Sequence, residues 1–281
     1  MNPTDKTYQN LLRDILENGI SKLDRTGTGT VSVFGRQVEF DFEDGVPLLT
    51  CRKLPYRNTL VELEGFIKGI TSKQWYKERG CPYWNYWCNP KKVPYALDED
   101  TRKRMAEEDD LGPIYGAIWR GKSEHQKIDQ FEQVINELKK NPNSRRLFFT
   151  AWSPMDADQQ ALVPCHMSVL LNVTDDKLNL IWHQRSVDVV LGTSANMFFY
   201  AMLLQLICME TGYEEGKVIG QFGDTHIYVN HFEGVNKILE RDPPKSPIIS
   251  TKVTSIYDWK YTDTEVIGYD PLPVIKFPIA I

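Results

Sequence analysis

Disulfide chemistry finds little to work with in this 281-residue chain: its five cysteines, at 51, 81, 88, 165 and 208, are odd in number and irregularly spaced. That pattern points to reduced thiols in a cytosol-like, cytoplasmic setting. Only "CPYWNYWC" brings two cysteines close, and no second Cys/His pair completes a zinc site, so no metal is expected. A basic-then-apolar leader is missing from "MNPTDKTYQN". No apolar run of about 18 residues stands out as a membrane span. Positive charge is not in excess either. A net charge of −5 gives no general electrostatic attraction to duplex DNA or acidic membranes, so neither is expected as a partner. Internal repeats, low-complexity tracts and linker-like stretches are also lacking.

What is present is a soluble globular mixture, 41% apolar and 25% charged, long enough to bury a sizeable core. Tyr8, Leu11, Leu12, Ile15 and Leu16 recur at helical spacing over residues 5–18, with Gly19 at the C-cap position. "TVSVFGRQVEFDF" alternates at Val38, Phe40 and Phe42 and reads as a strand, with Gly35 as a bulge. "NTLVELEGFIKG" reads as a helix weakened by Gly65. Residues 89–110 are polar and charge-dense, a surface insertion with no site assigned. Ile128, Phe131, Ile135 and Leu138 share a helical face within 127–140. "RLFFTAW", "HMSVLLNV" and "LNLIWHQ" read as strands, the last two joined by the turn "TDDK". Residues 197–213 are apolar almost all round, the mark of a buried central helix. Together these predict one mixed α+β domain over residues 1–281.

Several segments carry groups with chemistry. "DRTGTGT" (24–30) lacks the Gly-Lys-Ser/Thr ending of a phosphate loop and reads as a tight turn. Arg25 within it, Arg145 and Arg146 in "NSRR", and Arg185 beside Ser186 in "HQRS" form a phosphate site only if the fold gathers them; otherwise each is a surface charge. Cys165 in "ALVPCH" is a packed thiol unless a cationic neighbour activates it, and Arg185 is the candidate. His166 would point to the opposite face of a strand from Cys165, which argues against a Cys-His hydrolase. Asn196 suits the edge of a pyrimidine or amide. His226 and Tyr228 share one strand face. Trp84 and Trp87 are either core residues or stacking platforms for a flat ligand.

Taken in order, "DRTGTGTVSVFG", "GPIYGAIWR", "NSRRLFFTAW", "ALVPCH", "HQRSVDVVLG", "FGDTHIYVNH" and "GYDPLPVIKFPIAI" resemble the thymidylate synthase family from end to end. The resemblance implies helices packed on a mixed sheet, with two such sheets stacking back to back in a homodimer. It implies that Cys165 adds as a thiolate to C6 of dUMP, making C5 nucleophilic, and that Arg185 both holds the phosphate and favours the anionic sulfur. Arg25, Arg185 and Ser186 would bind phosphate from one subunit, and Arg145 and Arg146 from the other. Asn196 would read the N3/O4 edge of uracil, and His226 and Tyr228 the 3′-hydroxyl. Glu62, Tyr115 and His166 match positions that handle protons and order water. The one-carbon donor implied is 5,10-methylenetetrahydrofolate, near Trp84, Trp87, Arg52 and Gly192, with Asp188 on the pterin and Ala280 and Ile281 closing over it.

Departures from the family pattern gather on the folate side. Lysine is common where this chain has Arg52, and tryptophan where it has Gly65. "YGAIW" and "GTSAN" replace commoner strings, so a bulky phenylalanine becomes Ala195. These changes keep open a related reaction, dUMP 5-hydroxymethylation, in which water quenches the C5-methylene intermediate. Asn196 favours dUMP over dCMP, because cytosine presents a donor at C4. A catalytically inactive nucleic-acid-binding relative would have lost Cys165 or the arginines, and this chain has kept both.

Overall fold

Between Thr174 and Lys177 the chain reverses on two aspartates, Asp175 and Asp176, at φ 50° and 59°. Aspartate tolerates this left-handed conformation, and two such residues in a row give a turn whose twist matches the flanking strands. The predicted "TDDK" turn is therefore the tip of a hairpin. The computed structural model describes residues 2–23, 27–43 and 45–279. Helix α1 (Pro3–Asn18) leads into strands β1 (Ile20–Lys22) and β2 (Thr30–Phe40). Helices α2 (Tyr56–Lys68), α3 (Lys73–Glu78), α4 (Glu99–Glu107), α5 (Tyr115–Trp119) and α6 (Gln130–Lys140) follow. Strands β3 (Phe148–Thr150), β4 (His166–Thr174) and β5 (Lys177–Asp188) precede α7 (Ser194–Thr211), β6 (Glu214–Tyr228) and α8 (Phe232–Leu239). A small hairpin of β7 (Ile248–Thr251) and β8 (Thr264–Ile267) comes last.

Six strands form one mixed sheet in the order β1-β2-β6-β5-β4-β3. All neighbours are antiparallel except β5 and β6, which run parallel. Parallel neighbours need a crossover, and α7 supplies it. The α+β prediction holds. Helix α7 is buried nearly all round, and its Tyr200 stacks on Trp182 of β5 with ring centroids 5.0 Å apart. Each large apolar side chain so buried contributes roughly 1.5–3 kcal/mol. Contrary to the sequence reading, Val189–Thr211 is long and apolar enough by composition to cross a membrane. Its placement inside the fold makes it a core helix.

Three local expectations are corrected. Gly35 has φ +73°, but the β2–β6 register is the same on either side of it (Phe34 opposite Asp224, Arg36 opposite Phe222). No extra residue is inserted, so it is not a bulge. Ile128 precedes α6 and is 54% exposed, while Val134 joins Phe131, Ile135 and Leu138 on the buried face. Gly65 sits inside α2 because the Tyr76 ring crosses there: a Cβ would lie 2.3 Å from the Tyr76 hydroxyl. Close packing offsets the helix-propensity cost that the sequence shows.

The charged 89–110 segment leaves and rejoins the body at one point. The Asn89 N–H donates to Asp110 O at 2.8 Å, and Asn89 Nδ2 donates to Asp110 Oδ2 at 2.9 Å. Val93 and Met105 within it form a small satellite cluster with Cys88 just before it, and the buried Lys73 donates to the Met105 carbonyl. Cys81 belongs to the main core instead. In the glycine-rich 24–30 segment, Arg25 lies outside the described residues. Lys22 of β1 pairs with Thr30 of β2.

Candidate active site

Cys165 immediately precedes β4, and its backbone is gripped from two sides. Its N–H donates to Tyr115 Oη at 3.0 Å, and its carbonyl accepts the Arg185 N–H at 2.9 Å. It lines a cavity of about 470 Å³ together with Glu62, Trp84, Tyr115, His166, Asp188 and Asn196. Arg52, Ser186, Gly192 and Ala195 also line it. Residues scattered over most of the sequence thus converge on one space.

Arg185 alternates to the exposed face of β5, where the carbonyls of Pro164 and Val163 accept from Nε and Nη2 at 2.9 and 3.0 Å. Nη2 is then 3.8 Å from Cys165 Sγ. Burial nevertheless pushes the thiol above its ordinary value, with the guanidinium opposing. The anticipated activation by Arg185 has the right sign but does not dominate. Tyr115 is stacked between Phe66 (4.8 Å) and His166 (4.3 Å), which fixes its hydroxyl beneath Cys165. Burial holds that phenol far above its ordinary value, so it stays a donor.

His166 Nδ1 lies 2.6 Å from Tyr200 Oη, and burial lowers the imidazole to about 3. It is neutral and engaged away from Cys165, against a hydrolase pairing. Burial also raises Glu62 to about 8, with the Trp84 indole pulling the other way. A carboxyl tuned to that range suits proton transfer near neutral pH.

Asn196 has its orientation set by a chain of one-way donors. The Trp182 indole can only donate, and it meets Gln184 Oε1 at 3.2 Å. That oxygen can only accept, so Asn196 presents Nδ2 to it at 3.0 Å. The remaining N–H and the carbonyl of Asn196 are left for a ligand, a donor–acceptor pair that matches O4 and N3–H of uracil. Gln184 was missed in the sequence. The period-2 alternation of β5, which puts Gln184, Ser186 and Asp188 on one face, was the available signal.

Asp188 Oδ1 accepts from the N–H groups of Val190 and Leu191 and so caps the π-helical turn Val189–Thr193. Burial raises its pKa, and His231 opposes this from 3.9 Å. Arg52 is buried, with Nη2 donating to the Val190 carbonyl and to Ser194 Oγ. Its Nε is buried without a partner.

Other predicted residues lie outside the cavity lining. His226 and Tyr228 share a face of β6 with their rings 5.3 Å apart, and His226 is opposite Asp188. Burial would raise Asp224, but hydrogen bonds from Ser32 and His226 hold it below its ordinary value. His226 Nδ1 lies 3.0 Å from Oδ1 of that carboxylate. Arg145 and Arg146 are exposed before β3 and line no part of the cavity. Trp87 stacks on Tyr95 at 5.9 Å, outside the cavity, so only Trp84 of the predicted pair forms a wall. Gly65, suspected of opening the folate side, is covered by Tyr76 and does not line the space. Ala280 and Ile281 lie outside the described residues, and Ile279 is a lining residue.

The thymidylate synthase family model matches residues 6–281. The chain belongs to that family, whose members are folate-dependent, one-carbon-transferring enzymes acting on dUMP.

Proposed function

We propose that this member of the thymidylate synthase family methylates dUMP reductively at C5, with 5,10-methylenetetrahydrofolate as the donor, giving dTMP and dihydrofolate. The observation that carries this is the convergence of Cys165, backed by Arg185, and Asn196, pinned by Gln184, on one cavity. Asn196 orients uracil and stabilises the enolate oxygen that forms when the thiolate adds to C6. The nucleophilic C5 takes the methylene group. Glu62 then helps remove the C5 proton, with Tyr115 and His166 as neutral hydrogen-bonding groups around the thiol. Loss of tetrahydrofolate gives an exocyclic methylene, hydride from the folate reduces it, and Cys165 departs. Asp188 and Arg52 stand on the folate side.

Arg145 and Arg146, exposed and absent from their own chain's cavity, reach the phosphate of a second copy in this proposal. Phe34 (80% exposed) and Phe148 (46%) lie on sheet strands, as surfaces that such a copy would cover. A second reading, water addition at the same methylene intermediate, is favoured by Ala195, whose small side chain lines the cavity beside Leu191 and Gly192. Incubation with dUMP and methylenetetrahydrofolate, with both products identified by mass spectrometry, decides. dTMP with dihydrofolate supports methylation; hydroxymethyl-dUMP with tetrahydrofolate assigns the second reaction.

A further inference from the structure

The segment Ile275–Ile279 crosses the body of the protein before it reaches the cavity, and one side chain anchors it. Phe277 is seated against three groups from different parts of the chain. Arg52 places its guanidinium 5.1 Å from the ring centroid, and His231 meets the ring edgewise at 5.1 Å. The floor is Gly234 of α8. A Cβ there would lie 2.3 Å from Phe277 Cε1 and 2.6 Å from Cζ, so the ring occupies the space that any other residue would fill. One residue further on, the Pro278 carbonyl is 2.8 Å from His231 Nε2. A carbonyl only accepts, so Nε2 carries the proton. The other nitrogen of this fully buried ring, Nδ1, has no hydrogen-bond partner and faces Asp188 Oδ1 at 3.9 Å. Arg52 likewise bonds the turn that Asp188 caps, at the Val190 carbonyl.

We propose that Phe277 is a positioning residue: its seating on Gly234, between Arg52 and His231, fixes where the C-terminal segment meets the cavity and ties that segment to the Asp188 turn. These contacts dock the segment against the body of the protein. Since Arg52 and His231 each touch both the segment and the turn, displacing the ring disturbs the folate side and leaves the Cys165–Asn196 side in place. The functional part of this inference rests on the folate assignment above; the docking part does not.

Trypsin separates the two. The Lys276–Phe277 bond adjoins the seat, and Lys276 is exposed. Gly234→Ala fills the seat without changing the cleavage sequence, and alanine is the better helix former, so any loss is not helix weakening. Cleavage after Lys276 should speed up about tenfold, the scale that overpacking of a filled site gives. The KM for methylenetetrahydrofolate should rise about as much, with the dUMP dissociation constant held within about twofold. Phe277→Ala should raise the same KM. The double variant Gly234→Ala/Phe277→Ala should be no worse than Phe277→Ala alone, because the severe overlap needs both side chains and the remaining Ile275 Cγ2 contact at 3.2 Å is relieved by a small shift. Parent-like cleavage and parent-like folate KM in Gly234→Ala would overturn the proposal, as would additive losses in the double variant. Faster cleavage with an unchanged folate KM would leave the docking intact and refute the coupling to the folate side.

Discussion

Replacing Glu62 by glutamine tests the site's electrostatics without any substrate. The side chain keeps its shape but loses its proton equilibrium. In the folded protein burial holds this carboxyl at about 8, against an ordinary 4.5. The sign follows from where the proton resides. Between about pH 4.5 and 8 the group is protonated when folded and ionised when unfolded, so unfolding releases a proton. Stability therefore falls as pH rises through that window, by up to about 1.4 kcal/mol per pH unit, and levels off above it. From pH 5 to pH 7 the parent should lose about 2.5 kcal/mol more than Glu62→Gln. Asp5 and Asp188, also raised by burial, titrate in both proteins and cancel in the difference. Urea unfolding at fixed protein concentration, at pH 5, 6 and 7, measures it. Profiles that stay parallel would show that Glu62 is solvated or ionised in the free site, and would remove it as a tuned acid–base group.

Cys165→Ser should abolish turnover while calorimetry still detects dUMP binding. Mixed with an inactive Arg146→Ala chain, it should regain activity through heterodimers with one intact composite site; no recovery despite proven subunit exchange would refute arginine sharing. Asn196→Asp should erode discrimination against dCMP by ten- to a hundredfold in competition binding, the equivalent of about 1–3 kcal/mol for one matched buried hydrogen bond. A variant that excludes dCMP as firmly as the parent would show that Asn196 does not read the ring.

The strand alternation around Cys165 and the apolar character of α7 were legible because both are local periodicities. Motif order pointed to Glu62, Trp84, Tyr115, Cys165, His166, Asp188 and Asn196, which the fold gathers round one cavity, and also to Trp87, His226 and Tyr228, which lie outside its lining. What escaped depended on partners distant in sequence. Gln184 gains its role from Trp182 and Asn196, which meet it only after β5 and α7 pack. Gly65 looked like a flaw in a helix until Tyr76 came to lie over it. Trp87 and Trp84 were equivalent on paper, and the stacking of Tyr95 separates them. Phe277 and Gly234, 43 residues apart in the numbering, are unremarkable singly and complementary together.

The pinch between Asn89 and Asp110 makes the excursion between them separable from the rest of the fold. A closed loop costs entropy only logarithmically in its length, about 0.6 kcal/mol for each doubling. Its two ends are already held together by a backbone and a side-chain hydrogen bond. The segment is therefore nearly free to lengthen, shorten or carry a foreign domain without shifting the frame around the cavity. Its inward ties include the Lys91–Asp158 ion pair and, on α3, the Gln74 N–H to Asp109, Lys77 to the Ala106 carbonyl, and Lys73, whose buried ammonium would lose the Met105 carbonyl if the loop were excised. A shortened chain would keep its frame only with an apolar residue in that lysine's place.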